Sequence, residues 1–243
     1  MNNEVRLVVA ADEGVSSALV ARVNRACELV EGIGMPLLVR LPGALALTAE
    51  PGEPPAGAHV VEDWERALHR LERLPAATVA LVEGVCSGPA LEVLLTTDLR
   101  IAAGDAVLRV TACRTGAWPG MLLYRLATHL GAGAVRRLVL FGGELSTDEA
   151  VRLGLLDQAV ADPAGAALAA VHYLSTMDGR EVAVRRRLLL DAATAGFDEA
   201  LGAHLAACDR ALSRGGAPVP AGRSEPRVAV EPPTRRVPAA RAA

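Results

Sequence analysis

The chain has 243 residues, 51% apolar and 22% charged, a balance that excludes a mostly disordered protein and fits one large domain or a domain with a helical appendage. All 25 basic residues are arginine, which excludes mechanisms that need a Schiff-base or phosphate-loop lysine. A net charge of -3 with 2% aromatic residues supplies neither the positive field nor the stacking rings of a nucleic-acid groove.

Met1 to Glu4 carries neither the basic start nor the apolar block of a signal peptide. Val5, Leu7 and Val9 then alternate with Glu4, Arg6 and Val8, the period of a strand. Ser16 and Ser17 offer an N-cap to a helix with Leu19, Val20, Val23, Ala26, Cys27 and Val30 on one face, ending at Gly32. Met35 to Leu41 reads as a buried strand, and Pro42 to Ala58, rich in proline and glycine, as a long loop of the kind that is more often functional than idle. An amphipathic helix follows, with Val61, Trp64, Leu68, Leu71 and Leu74 inward and Glu65, Arg66, Arg70, Glu72 and Arg73 outward.

Thr78 to Val82 is a short apolar strand; Gly84 to Pro89 turns into a helix over Ala90 to Thr97. Strands at Leu99–Ala102 and Val107–Val110 precede helices at 120–130, 134–141, 147–153, 164–175, 180–195 and 198–213. The residues after Gly215 have Pro and Arg without apolar periodicity. The pattern predicts an α/β core over 1–162, a C-terminal helical part over 163–213 and a disordered tail over 214–243. Cys27, Cys86, Cys113 and Cys208 form no C-x-x-C pair, and three of them sit in apolar patterns, as reduced buried thiols of a cytoplasmic protein would. The histidines show no metal-ligand spacing, and no uncharged apolar run reaches the ~18 residues of a membrane span.

The segment Ala80 to Ala102 concentrates the chemistry. A buried strand delivers a glycine turn that opens a helix, whose first amides point outward with partial positive charge. Such a place polarises a thioester carbonyl or holds an enolate, and Glu92 on the same helix can act there as acid or base. Gly84, the turn Ser87–Gly88, Glu92, the run Asp98 to Ala102, Gly116 with Pro119 and Gly120, Arg125 with Leu126, and the stretch Gly143 to Asp157 together resemble the signature of the crotonase (enoyl-CoA hydratase/isomerase) superfamily. The resemblance implies an α/β spiral of ββα units with a C-terminal helical oligomerisation part, and a homotrimer or dimer of trimers. It also implies an acyl-CoA thioester as ligand, bound around Gly88, Pro89, Ala90, Gly116, Trp118 and Gly120, with Glu92 as the catalytic carboxylate. Coenzyme A enters as part of the substrate, and no separate cofactor is implied.

Three departures stand beside the match. Pro89 occupies the position whose amide serves the family as an oxyanion donor, and proline has no N–H; Ala90 or Leu91 is left to supply a displaced one. The family's second glutamate falls fourteen positions after Asp98, on Ala112, and no glutamate lies between Glu92 and Glu144. The loop Pro42–Ala58 does not match the family's source of the other oxyanion donor. With the runs Trp64 to Thr78 and Ala117 to Met121, the chain is most similar to the small hydratase-like proteins of dihydroxyphenylglycine biosynthesis. These work beside a type III polyketide synthase in glycopeptide-antibiotic pathways and assist the dehydration and aromatisation that give dihydroxyphenylacetyl-CoA.

Other roles remain open on sequence alone. Asp98 reads as a helix end paired with Arg100 or Arg125; Trp118 lines an acyl pocket or packs its turn; Arg109 and Arg114 meet coenzyme A phosphates or lie on the surface. Arg185, Arg186 and Arg187 read as a solvated helix face. Gly84 to Gly88 also fits a cysteine nucleophile elbow, with Cys86, Asp157 and His204 in the chain order of an α/β-hydrolase triad. A third reading is a non-catalytic partner of the synthase.

Overall fold

The computed structural model describes residues 4–43, 57–111 and 120–213. Most of the loop Pro42–Ala58, Ala112, Cys113, Arg114, Gly116, Trp118, Pro119 and the tail expected over 214–243 lie outside the described residues. In chain order the elements are β1 (Val5–Val8), α1 (Ser17–Ile33), β2 (Leu37–Pro42), α2 (Ala58–Glu72), β3 (Thr78–Glu83), β4 (Val85–Cys86), α3 (Gly88–Leu94), β5 (Leu99–Ala103) and β6 (Val107–Val110). They continue with α4 (Leu122–Leu130), α5 (Ala132–Phe141), β7 (Gly143–Ser146), α6 (Thr147–Leu153), β8 (Gln158–Val160), α7 (Pro163–Leu174), α8 (Gly179–Asp191) and α9 (Phe197–Ser213).

A parallel five-stranded sheet has the order β1-β2-β3-β5-β8, and a second sheet the order β4-β6-β7. Two successive turns therefore send one strand to each sheet, β3 and β5 to the larger and β4 and β6 to the smaller. This is the expected α/β spiral. Period-two alternation splits β3 between two cores. Ala80 and Val82 face the main core with Trp64, Leu68 and Leu91. Val79 and Leu81 pack with Leu38, Ile101 and, from α7, Ala167 and Val171. Buried on both faces, such a strand has to be apolar throughout, which is why Thr78 to Val82 shows no alternation.

Local chemistry accounts for most element ends. Ser16 caps α1 by accepting the Leu19 N–H, and the helix runs one residue past the expected Gly32, to stop at Gly34 with φ 68°. The helix α6 has a full capping box between Ser146 and Glu149. The helix α2 begins at Ala58, so its buried face starts at Val60 rather than Val61. The helix α3 spans Gly88–Leu94 instead of Ala90–Thr97. Extended Ser87 sets its start, and proline is at home in a first turn, whose amides lack helical partners anyway. It ends early in a turn where the hydroxyls of Thr96 and Thr97 donate to the Val93 and Leu94 carbonyls at 2.7 Å. The strands β4, β7 and β8 are unforeseen in the sequence, being two to four residues long, too short to display a period.

Two charge assignments change. Asp98 pairs with neither Arg100 nor Arg125; Arg186 of α8 forks onto it, Nε to Oδ1 and Nη2 to Oδ2, both at 2.6 Å. Arg186 is thus not part of a solvated face, whereas Arg185 and Arg187 are exposed. Arg100 instead donates its guanidinium to the Thr97 and Leu95 carbonyls. Cys27 and Cys86 are buried free thiols, but Cys208 is exposed, because α9 carries no buried residue.

Candidate active site

The glycine turn before α3 is open to solvent at Gly84 and Gly88, which have φ of 72° and 54°. Pro89 is half-buried behind them and Ala90 is buried. Of the two residues that remained as displaced donors, Leu91 is already engaged: its N–H donates to the Ser87 carbonyl at 3.4 Å. Ala90 is left as the candidate donor.

Just over one turn into α3, Glu92 is 5% exposed. Its position is fixed from three elements. The Trp64 indole N–H of α2 donates to Glu92 Oε2 at 2.5 Å. The Leu122 amide, at the start of α4, faces the same carboxyl and favours its ionised form. Gly120 closes over the other oxygen: a Cβ built there would lie 2.0 Å from Glu92 Oε1. Burial is the largest influence on this acid and raises its pKa from 4.5 to about 7; the indole bond and Arg125 oppose the rise and Glu65 adds to it. The group therefore exchanges its proton near neutrality, the property wanted of a general acid or base.

Glu65 is a residue that the sequence did not point to, and Arg125, which the sequence offered within the family signature and as a partner of Asp98, pairs with it instead. Glu65 Oε1 accepts the Met121 amide at 2.9 Å, while Oε2 lies 2.8 Å from Arg125 Nη2. Both side chains are largely buried, at 14% and 8% exposure. Periodicity had placed Glu65 outward, and the signal that could have found it is its neighbour Trp64, the buried aromatic of the same helix turn.

Gly88, Pro89, Ala90, Glu92 and Gly120 thus fall in one region, with Gly120 in contact with Glu92; Gly116 and Trp118 lie outside the described residues. Arg109 is committed to Glu144 on the neighbouring strand β7, at 2.7 Å. A surface cavity of about 520 Å³ lies elsewhere, between Arg73 and the Val184–Asp191 face of α8. Among the described residues no group of three or more His, Cys, Asp and Glu is arranged to hold a metal ion.

The cysteine-nucleophile reading is overturned. Cys86 is fully buried on β4, and burial drives its thiol pKa far up, away from the reactive thiolate. Asp157 accepts the Arg100 amide at 2.7 Å, and exposed His204 is bonded to the Ala200 carbonyl of its own helix. The three do not assemble.

The contact at Gly120 gives a direct test. Gly120→Ala puts a side chain at φ 54° and drives it into the carboxyl. The left-handed backbone costs about 1–2 kcal/mol and the displaced buried bond about as much again. Denaturant melts should therefore show a loss of about 2–4 kcal/mol, against none for Gly133→Ala on α5, where a Cβ meets nothing.

Two sheets fed alternately by ββα turns, and a buried carboxyl on the helix after the glycine turn, define a crotonase-type α/β protein. The sequence model of the enoyl-CoA hydratase/isomerase family matches residues 50–209. An Enoyl-CoA-hydratase of Amycolatopsis orientalis is 37% identical over 216 residues, covering 88% of this chain and 98% of its own. The chain belongs to the enoyl-CoA hydratase/isomerase family. Among solved structures, an enoyl-CoA hydratase/isomerase from Cupriavidus metallidurans superposes with a TM-score of 0.74 at 20% identity, over 88% of this chain and 86% of that one. An enoyl-CoA hydratase from Shewanella pealeana gives a TM-score of 0.73 at 18% identity, over 89% and 87%. These two share the fold.

Proposed function

We propose that the protein binds an acyl-CoA thioester and uses Glu92 as its single acid/base, removing water from a cyclised polyketide thioester to give dihydroxyphenylacetyl-CoA beside a type III polyketide synthase. The ionised carboxyl takes a proton from ring carbon next to a carbonyl. The electron pair forms the new double bond, the hydroxyl on the neighbouring carbon leaves, and Glu92 returns the proton to it as water. The observation that carries this reading is a buried carboxyl with a pKa of about 7 beside an open glycine turn, in a chain of this family. Ordinary two-carboxylate hydration fits less well, because alanine stands at position 112 and Pro89 offers no amide. Loss of water that creates an aromatic ring is strongly downhill, so one carboxylate suffices. Coenzyme A is part of the substrate, and no other cofactor enters.

A second reading, a non-catalytic partner that shapes the synthase's product, is favoured by the 5% exposure of Glu92 and its bond to Trp64. Exposed apolar side chains on the C-terminal helices, Leu189, Phe197, Leu205 and Leu212, support association of copies as a homotrimer or dimer of trimers. The testing experiment combines the protein with a type III polyketide synthase and malonyl-CoA. The aromatic thioester should form in the complete mixture and give way to undehydrated or derailed products when this protein is omitted. Identical product profiles would end the proposal.

A further inference from the structure

Beside Glu92 lies an ion pair that the proton-transfer chemistry does not itself require. Glu65 and Arg125 face each other at 2.8 Å with both side chains mostly buried. Among the described residues Arg125 Nη1 and Glu65 Oε2 have no hydrogen-bond partner although both are shut off from solvent. Buried pairs in this condition are poor stabilisers: desolvating the charges costs more than an imperfect pairing returns, and apolar replacements of similar size are often neutral or better. Stability therefore gives little reason to keep them. Their geometry gives another. Glu65 spans α2 to α4, one oxygen on the Met121 amide and the other on Arg125. Trp64, its chain neighbour, holds Glu92 Oε2, and the amide of Leu122, next to Met121, faces the same carboxyl. The point where Gly120 lacks a side chain is 2.0 Å from Glu92 Oε1 and 3.4 Å from Glu65 Oε1.

We propose that Glu65 and Arg125 are positioning residues for Glu92: the pair clamps the start of α4 against α2, so that Oε2 is tied to Trp64 and Oε1, at the Gly120 face, is the oxygen that exchanges the proton. The inference rests on the acid/base reading of Glu92 for its purpose, but its geometry can be read without substrate. The charged groups facing Glu92 among the described residues are Glu65 on α2 and Arg125 on α4.

The test uses the indole N–H resonance of Trp64 in the ¹⁵N-labelled full chain, which has two tryptophans and is assigned with Trp118→Phe. In the wild type this resonance should titrate near neutral pH with its carboxyl partner, and in Glu92→Gln it should be flat. The double variant Glu65→Met/Arg125→Met should fold, yet lose the downfield shift and exchange its indole proton with solvent at least tenfold faster. An unchanged resonance and exchange rate would overturn the proposal. Should the double variant not fold, Glu65→Gln decides: with one negative neighbour removed, the indole titration midpoint moves to lower pH, and an unmoved midpoint overturns the clamp. Arg125→Lys, which keeps a cation opposite Glu65, should restore part of the wild-type signal. Turnover in the synthase-coupled assay separates the two claims. If Glu92→Gln leaves turnover intact, the acid/base reading falls while the indole data still stand for or against the clamp.

Discussion

Glu92→Gln should lower dehydration turnover by on the order of a hundredfold or more, the usual worth of a positioned general acid or base. Glutamine fills the same space between Trp64 and Gly120 and can still accept the indole proton, so the loss reports proton transfer rather than collapse of the site. The same variant has a second signature in stability. In the fold the Glu92 pKa stands at about 7, raised first by burial, against an ordinary value of 4.5. A raised acid binds its proton more tightly when folded. Its contribution is fully present below pH 4.5 and is lost as pH rises through about 7, a change on the order of 3 kcal/mol. Urea melts of the wild type should thus weaken between pH 5 and pH 8, and those of Glu92→Gln should weaken much less. Full turnover in the variant would favour the non-catalytic partner; equal pH slopes would mean that the carboxyl is not held protonated near neutrality.

Removing Arg186 should be the most damaging single change outside the core. Its side chain is 8% exposed, and each of its three guanidinium nitrogens has a partner within the fold. Nη1 donates to the Leu74 carbonyl at 2.5 Å, Nη2 to the Ala76 carbonyl at 2.8 Å, and the fork closes on Asp98. Asp98 in turn accepts the Thr78 amide and hydroxyl at 2.8 and 2.9 Å, so the arginine ties α8 to the start of β3. Gly179, at the first position of α8, packs so tightly on the Pro75 carbonyl that a Cβ would approach to 2.4 Å. Arg186→Met keeps much of the stem's packing but leaves the half-exposed Asp98 carboxylate and two carbonyls without their donor. A loss of about 2–4 kcal/mol follows, or on the order of 10 °C in melting temperature for a domain of this size. Arg186→Lys should recover only part of it, since an ammonium cannot fork onto a carboxylate and two carbonyls at once. Arg187→Met on the exposed side, paired with Asp191 at 3.4 Å, is the control and should cost under about 1 kcal/mol. Equal melts of the two variants would refute the clamp.

The sequence by itself determined the alternating strands and helices of the core, the glycine turn before α3, the cap of α1, and Glu92 as the acid worth following. Each of these is local: a period, a capping residue or a spacing within one segment, where chain connectivity fixes which groups meet. The tertiary structure alone decided what surrounds that acid. Trp64 and Glu65 come from α2, Gly120 and Arg125 from the start of α4, and the partner of Asp98 lies 88 positions along the chain. Charged residues at helix positions default to an outward reading because solvation is cheap, and only a charged or hydrogen-bonding partner on another element makes burial affordable. Helical periodicity carries no trace of such a partner. The same reason hid Arg186 inside an arginine run and left Cys86 looking like a nucleophile: whether a side chain reacts, pairs or is silenced depends on what packs against it.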